Sequence, residues 1–290
     1  MTAEPLRLVL GTAALVDDHL TPRLLDQFYE AGGRAIDLAN VYADGEAERA
    51  VGGWLARRGG DALLYVKGCH PPSCAPELVS REVELALSNL GVDRLDVFML
   101  HRDDPAVDVR VWADALIDVL QRGTVAAVGV SNWTVERFLG LRTCLQELGE
   151  ERMSVFSNHF SLADMAAPPW PDCLAVDAET AAALVGSGIT VLAWASLAGG
   201  FLGDGEANDE PVLRTWGTDE NRHRRARSAD LAKQVRSTPA TIAIAYVLAH
   251  EGVRPVIGTR SSEHLSEALA AEQIDLTLEQ VAYLEASSPA

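Results

Sequence analysis

An acid, a tyrosine, a lysine and a histidine stand at or just beyond the carboxyl ends of three short apolar runs. Ala35-Ile36 leads into Asp37, with Tyr42 five residues on. Leu63-Leu64-Tyr65-Val66 ends in Lys67, and Val97-Phe98-Met99-Leu100 ends in His101. In a barrel of parallel strands such ends converge on one face. A buried ammonium invites a carboxylate, so Lys67 pairs with Asp37 if their strands are neighbours. A lysine cation beside Tyr42 favours tyrosinate and draws the phenol down from its usual value of about 10. That suits a general acid working near neutral pH. His101 can hydrogen-bond the same substrate oxygen. The chemistry these four residues support together is proton transfer to a carbonyl.

The elements that must position them recur along the chain. Apolar runs at 8–10, 35–36, 63–66, 97–100, 127–130, 155–156, 190–193 and 255–257 alternate with amphipathic stretches. The latter fall at 22–31, 46–57, 76–90, 109–121, 136–148, 178–185 and 239–249. Within 80–90, Val83, Leu87 and Leu90 share one helical face. Strand then helix, repeated eight times, predicts an α/β protein, a single (α/β)8 TIM barrel, with 1–290 as one domain. The Gly-, Asp-, Glu- and Arg-rich stretch 199–227 reads as a long loop, a lid over the catalytic face. The stretch 166–172, with Pro168-Pro169-Trp170-Pro171, reads as a second irregular insertion.

A formal charge of −18 on 290 residues argues against nucleic acid or an anionic membrane as the main partner, since both need a basic footprint. The four cysteines, Cys69, Cys74, Cys144 and Cys173, form no CxxC pair and no metal-ligand spacing, and read as reduced thiols. No stretch approaches the ~20 apolar residues of a membrane span. No basic-then-apolar leader is evident, and a cytoplasmic enzyme is expected.

The run Asp37-Leu38-Ala39-Asn40-Val41-Tyr42-Ala43-Asp44-Gly45-Glu46-Ala47-Glu48 resembles the signature of the aldo-keto reductases. In that family an Asp-Thr-Ala-x-x-Tyr-Gly pattern precedes Gly-x-Ser-Glu; here Leu38, Ala43 and Ala47 replace its Thr, Gly and Ser. Asp96 to Arg102 resembles the family's histidine strand, and Val128-Gly129-Val130-Ser131-Asn132-Trp133 its Gly-x-Ser-Asn motif. The resemblance implies an (α/β)8 barrel that reduces aldehydes and ketones with NADPH, less often NADH. It implies a catalytic tetrad of Asp37, Tyr42, Lys67 and His101, with Tyr42 as proton donor, and no metal.

The resemblance also implies a cofactor site for NADP(H). Gly11 and Thr12 end the first strand and face the cofactor, as does Asp37. Ser131 and Asn132 hold the nicotinamide carboxamide, with Asn158 in place of a family glutamine. Trp194 takes the place of a tyrosine that stacks on the nicotinamide. Ser196, Leu197 and Gly199 open the loop over the pyrophosphate. Gly258, Thr259 and Arg260 lie at the adenosine end, where a guanidinium suits the 2′-phosphate. His264 and Glu267 follow near the adenine, with Ala268 in place of an asparagine. The cluster Arg222, Arg224, Arg225 and Arg227 reads as a helix face, with reach to a phosphate as the alternative. The expected substrate is a small carbonyl compound, aryl or sugar-like, with His70, Trp133, Phe160 and Trp170 as candidate walls.

Two rival readings stand beside this one. Some relatives bind the cofactor as sensor or regulatory subunits with little turnover, though these need no proton donor. A metal-dependent barrel hydrolase would use the scattered histidines, of which no two have convincing ligand spacing.

Overall fold

All eight apolar runs become parallel strands. They are β1 (Val9–Gly11), β2 (Ala35–Ala39), β3 (Leu63–Gly68), β4 (Leu95–Leu100), β5 (Val125–Ser131), β6 (Met153–Ser157), β7 (Thr190–Ala193) and β8 (Val253–Gly258). Each pairs with the next, and β8 pairs with β1 to close the barrel. The structure is a computed structural model that describes residues 6–15, 19–59, 61–205 and 208–287.

Side chains alternate across a strand, and that parity fixes what fills the barrel. One set, Val9, Ala35, Tyr65, Val97, Met99, Val155, Leu192 and Val256, forms a separate buried cluster inside it. The other set, including Leu10, Ile36, Leu64, Val66, Phe98, Leu100, Val130 and Phe156, packs outward against the helices in the main core. Two residues beyond the inner cluster the same parity reaches Gly11, Asp37, Lys67, His101, Ser131, Ser157, Trp194 and Gly258. These form the upper layer at the carboxyl ends.

The helices that cover the strands are α1 (Leu20–Glu30), α2 (Glu46–Arg58), α3 (Val79–Leu90), α4 (Val109–Gln121), α5 (Val135–Glu147) and α6 (Ala178–Gly186). After β7 come α7 (Glu210–Trp216), α8 (Asp219–Val235) and α9 (Pro239–Leu248), and after β8 come α10 (Ser262–Ala270) and α11 (Leu278–Glu285). Many start where a side chain can satisfy an orphan N–H. Asp108, Thr134, Asp177, Thr218, Thr238, Ser261 and Thr277 each accept from a backbone N–H in the first turn.

The stretch 199–227 departs from the lid loop expected there. It contains α7 and the first half of α8, because Thr218 caps a run of strong helix formers whose charges hid any apolar face. Trp216 anchors it: the indole is buried and Nε1 donates to His159 Nε2 at 3.2 Å. Among the described residues no helix is long and apolar enough to cross a membrane.

Candidate active site

At the carboxyl ends lies a cavity of about 1040 Å³ whose walls come from the ends of the barrel strands and the loops after them. The upper-layer residues Gly11, Asp37, Lys67, His101, Ser131, Ser157, Trp194 and Gly258 all line it. Strand parity therefore accounts for the floor of the cavity, and the loops after the strands with α9 and α10 supply the rest of the wall.

Register decides how the acid and base meet. Lys67 lies opposite Ala39, and Asp37 opposite Tyr65, so the lysine stem reaches back along the strand to place Nζ 2.5 Å from Asp37 Oδ1. Both side chains are buried. Burial alone would lower the Lys67 ammonium, but Asp37 and Tyr42 together raise it above the ordinary lysine value. The cation is fixed.

Tyr42 follows β2 in a single tight turn, Tyr42–Gly45, in which Ala43 and Asp44 adopt φ of 48° and 51°. Its ring lies with its centroid 5.2 Å from Lys67 Nζ and 6.0 Å from the His101 ring. The sequence reading expected the lysine to draw the phenol down. Here burial dominates and raises the Tyr42 phenol above its usual value, with Lys67 opposing. The phenol therefore keeps its proton at neutral pH. For His101, burial first, then Lys67, Arg102 and His70, push the imidazole well below 6.5. It is neutral at pH 7, and its Nδ1 is buried without a partner.

Backbone bonds lock these strand ends together. Thr12 N and Oγ1 donate to the Asp37 carbonyl at 3.1 and 2.9 Å, Asn40 N to the Lys67 carbonyl, and His101 N to the Gly68 carbonyl at 2.7 Å. Glu82 on α3 accepts from Asn40 Nδ2 and, at 2.8 Å, from Cys69 N. One carboxylate thus joins the loops after β2 and β3.

Most of the cofactor residues expected from sequence line the same cavity: Gly11, Asp37, Ser131, Asn132, Trp194, Ser196, Leu197, Gly199, Gly258, Thr259, His264 and Glu267. Thr12, Asn158 and Arg260 do not. Thr12 faces away and holds the end of β2. Asn158 has the opposite parity to Ser157, and its Nδ2 donates to the Trp133 carbonyl at 3.0 Å. Arg260 is exposed, one residue before the Ser261 cap of α10. Ser157 went unremarked in the sequence although it follows Val155 by two, the signal that would have found it. Two expected substrate walls are also core residues: Trp133 packs against Trp112, and Phe160 against Tyr246 and His250. His70 and Trp170 do line the cavity.

The four arginines of the 222–227 cluster stay out of the cavity. Arg222 donates to the Gly217 carbonyl, Arg224 to the Leu162 carbonyl, Arg225 to the Gly203 and Gly205 carbonyls and Arg227 to the Leu284 carbonyl. They fasten loops.

The residues present fit a nicotinamide dinucleotide. The cavity exceeds the usual 300–1,000 Å³ of a drug-sized site, leaving room for a small substrate beside a dinucleotide. Near Ser131 and Trp194 the backbone is held at φ 57° (Asn132), 52° (Ala195) and 50° (Ala198), strain of the kind that collects at functional sites, and Gly199 follows at 63° without cost. Ala240, Ile244 and Ala268 give an apolar floor beside His264 and Glu267, suited to a flat base.

The sequence profile of the aldo/keto reductase family matches residues 7–289. The chain belongs to that family. It is accordingly an NAD(P)H-dependent oxidoreductase. Norsolorinic acid reductase of Aspergillus flavus is 28% identical over 96% of this chain and 74% of its own length. A putative aryl-alcohol dehydrogenase of Schizosaccharomyces pombe is 26% identical over 93% and 86%. Among solved structures, an aldo/keto reductase from Klebsiella pneumoniae in complex with NADP and acetate superposes with a TM-score of 0.74. It is 22% identical, with 97% of this chain and 90% of that one covered. A thermostable aldo-keto reductase bound to the inhibitor epalrestat gives 0.79 at 21% identity, over 98% and 96%.

Proposed function

We propose that the protein reduces a small aldehyde or ketone with NADP(H), Tyr42 donating the proton. The observation that carries this reading is the arrangement at one cavity wall: a buried, ion-paired lysine beside a tyrosine that keeps its proton, with a neutral histidine across from it. Gly11, Ser131, Asn132, Trp194, Ser196, Leu197, Gly199, Gly258, Thr259, His264 and Glu267 would hold the cofactor. When bound, it supplies the hydride.

The chain's own groups do the rest. The Tyr42 hydroxyl gives its proton to the carbonyl oxygen as negative charge develops there. The Lys67 cation, fixed by Asp37, then stabilises the tyrosinate left behind. His101 presents Nε2 to the cavity, since Nδ1 is sealed off. With the proton on Nε2 the neutral ring donates a hydrogen bond that orients the carbonyl. The names of the similar proteins point to aryl carbonyls, and Trp170 offers a flat face for such a ring.

Tyr42→Phe tests the role of the donor. It keeps the ring and removes the proton, so kcat for carbonyl reduction should fall by roughly 10²–10⁴ with cofactor affinity little changed. A variant that keeps more than about a tenth of the wild-type kcat takes the acid role away from Tyr42.

A further inference from the structure

Arg102 directly follows His101, is 7% exposed, and lines the cavity. Its Nη1 donates to the His101 carbonyl at 3.0 Å and its Nη2 reaches Cys173 Sγ at 3.4 Å. Among the described residues no carboxylate lies within 4.0 Å of it. The adjacent Asp103 is already taken by Arg137 at 2.5 Å. Lys67, the other basic side chain in the lining besides the histidines, has Asp37. A chain with a formal charge of −18 thus leaves one buried guanidinium beside its reacting centre without a counter-ion. Burying an unpaired cation is costly, so the position demands an anion. Its field reaches Tyr42 and His101, drawing both downward.

We propose that Arg102 is a specificity-determining residue that binds a carboxylate on the substrate, making this a reductase of carbonyl acids. The proposal rests on the reading of the cavity as a carbonyl-reducing site. A guanidinium carries five donors. Two are committed, and the remaining N–H groups lie in one plane, which matches the two oxygens of a carboxylate. A phosphate is disfavoured because Asp172, also in the lining, would repel a dianion more than a monoanion. Trp170, 64% exposed, and Pro171 line the same wall, so an aryl or short aliphatic spacer can lie between the anion and the carbonyl.

The test uses full-length protein with NADPH and pairs of aldehydes that differ only in charge. 4-Carboxybenzaldehyde is compared with its methyl ester, and ω-oxo acids of two to six carbons with theirs; glyceraldehyde 3-phosphate is the phosphate arm. For the best spacer length, wild-type kcat/KM should favour the acid over the ester by about tenfold or more, chiefly through KM, the order expected of a charge-assisted bond. Arg102→Gln should bring that ratio to about one, and Arg102→Lys should restore part of it. Because each ratio is taken within one variant, partial unfolding does not mimic the effect. Acids no better than esters at every length, a ratio that survives Arg102→Gln, or preference for the phosphate overturns the proposal. Should neither acid nor ester be reduced, the carbonyl-reductase reading fails on its own. In that case benzoate is titrated against tryptophan fluorescence. Loss of its binding in Arg102→Gln supports the anion site, and equal binding overturns it.

Discussion

The two sides of the cavity are held by opposite means. On the β2–β4 side, side chains fix one another: Lys67 on Asp37 at 2.5 Å, and Glu82 across the loops that carry Asn40 and Cys69. On the β6–β8 side the wall is mostly backbone and ring. Ala195, Ala198 and Gly199 bend the loop after β7 through positive φ. Trp194 lies edge-on to His159 with centroids 5.1 Å apart, and Trp216 donates to that histidine. The difference fits the proposed reduction. A proton donor must be placed to a fraction of an ångström, whereas a long cofactor is gripped by many modest contacts spread over loops.

That contrast breaks most visibly at the ion pair. Lys67→Met leaves a buried carboxylate without its cation, and should cost about 3–5 kcal/mol of stability in thermal or urea unfolding. Adding Asp37→Asn should recover much of that stability but none of the activity, since the tyrosinate has lost its cation. In Lys67→Met the phenol also loses the group that opposes its burial, so the pH profile of alcohol oxidation should move upward. If stability and profile both stay put, the pair does not organise this side.

The opposite side has a titratable group held by burial rather than by a charge. Burial pushes His159 down to about 4, against the pull of Asp164. The unfolded chain, with His near 6.5, therefore binds more protons below that pH, and stability present at pH 7 is lost as the pH falls toward 4. His159 alone should remove about 2 kcal/mol by pH 5, and His101 acts in the same direction. His159→Gln keeps an acceptor for Trp216 and should flatten the acid slope without abolishing it. An unchanged slope would mean that His159 is not the group responsible.

The smallest effect is expected at the exposed rim. Arg260 stands in solvent, so Arg260→Ala should weaken NADPH by about tenfold or less while leaving NADH nearly untouched. Trp194 fluorescence on titration with each cofactor measures both. Equal affinities in the wild type would make Arg260 a solvated loop charge and mean that the protein does not select for the 2′-phosphate.

Much of this architecture is legible in the chain itself. Apolar runs spaced by amphipathic helices specify a closed parallel sheet, and the titratable residues at run ends meet at one cavity. What a linear reading handled poorly was direction. Asn158 was named because an amide matched the family pattern, and Ser157 went unremarked although it shares the inward parity of Val155 and lines the cavity. Trp133 and Phe160 looked like walls because their loops are near the site, but their rings point into the core. The 219–235 helix was read only at its 222–227 face, and its extent was missed because its charges blurred any apolar stripe.

The sequence by itself determined the strand–helix order, the four residues at the strand ends and the family, because these are properties of residue type and spacing. Only the tertiary structure decided the balance of forces among them. The same residues that suggested a lowered phenol sit so deep that burial overrides Lys67 and keeps the Tyr42 proton in place. Likewise Arg102, an ordinary arginine in the chain, becomes exceptional only once folding buries it beside His101 with no carboxylate partner among the described residues. Burial and the presence or absence of a partner are set by which strands and loops meet, and a charge has no such environment until they do.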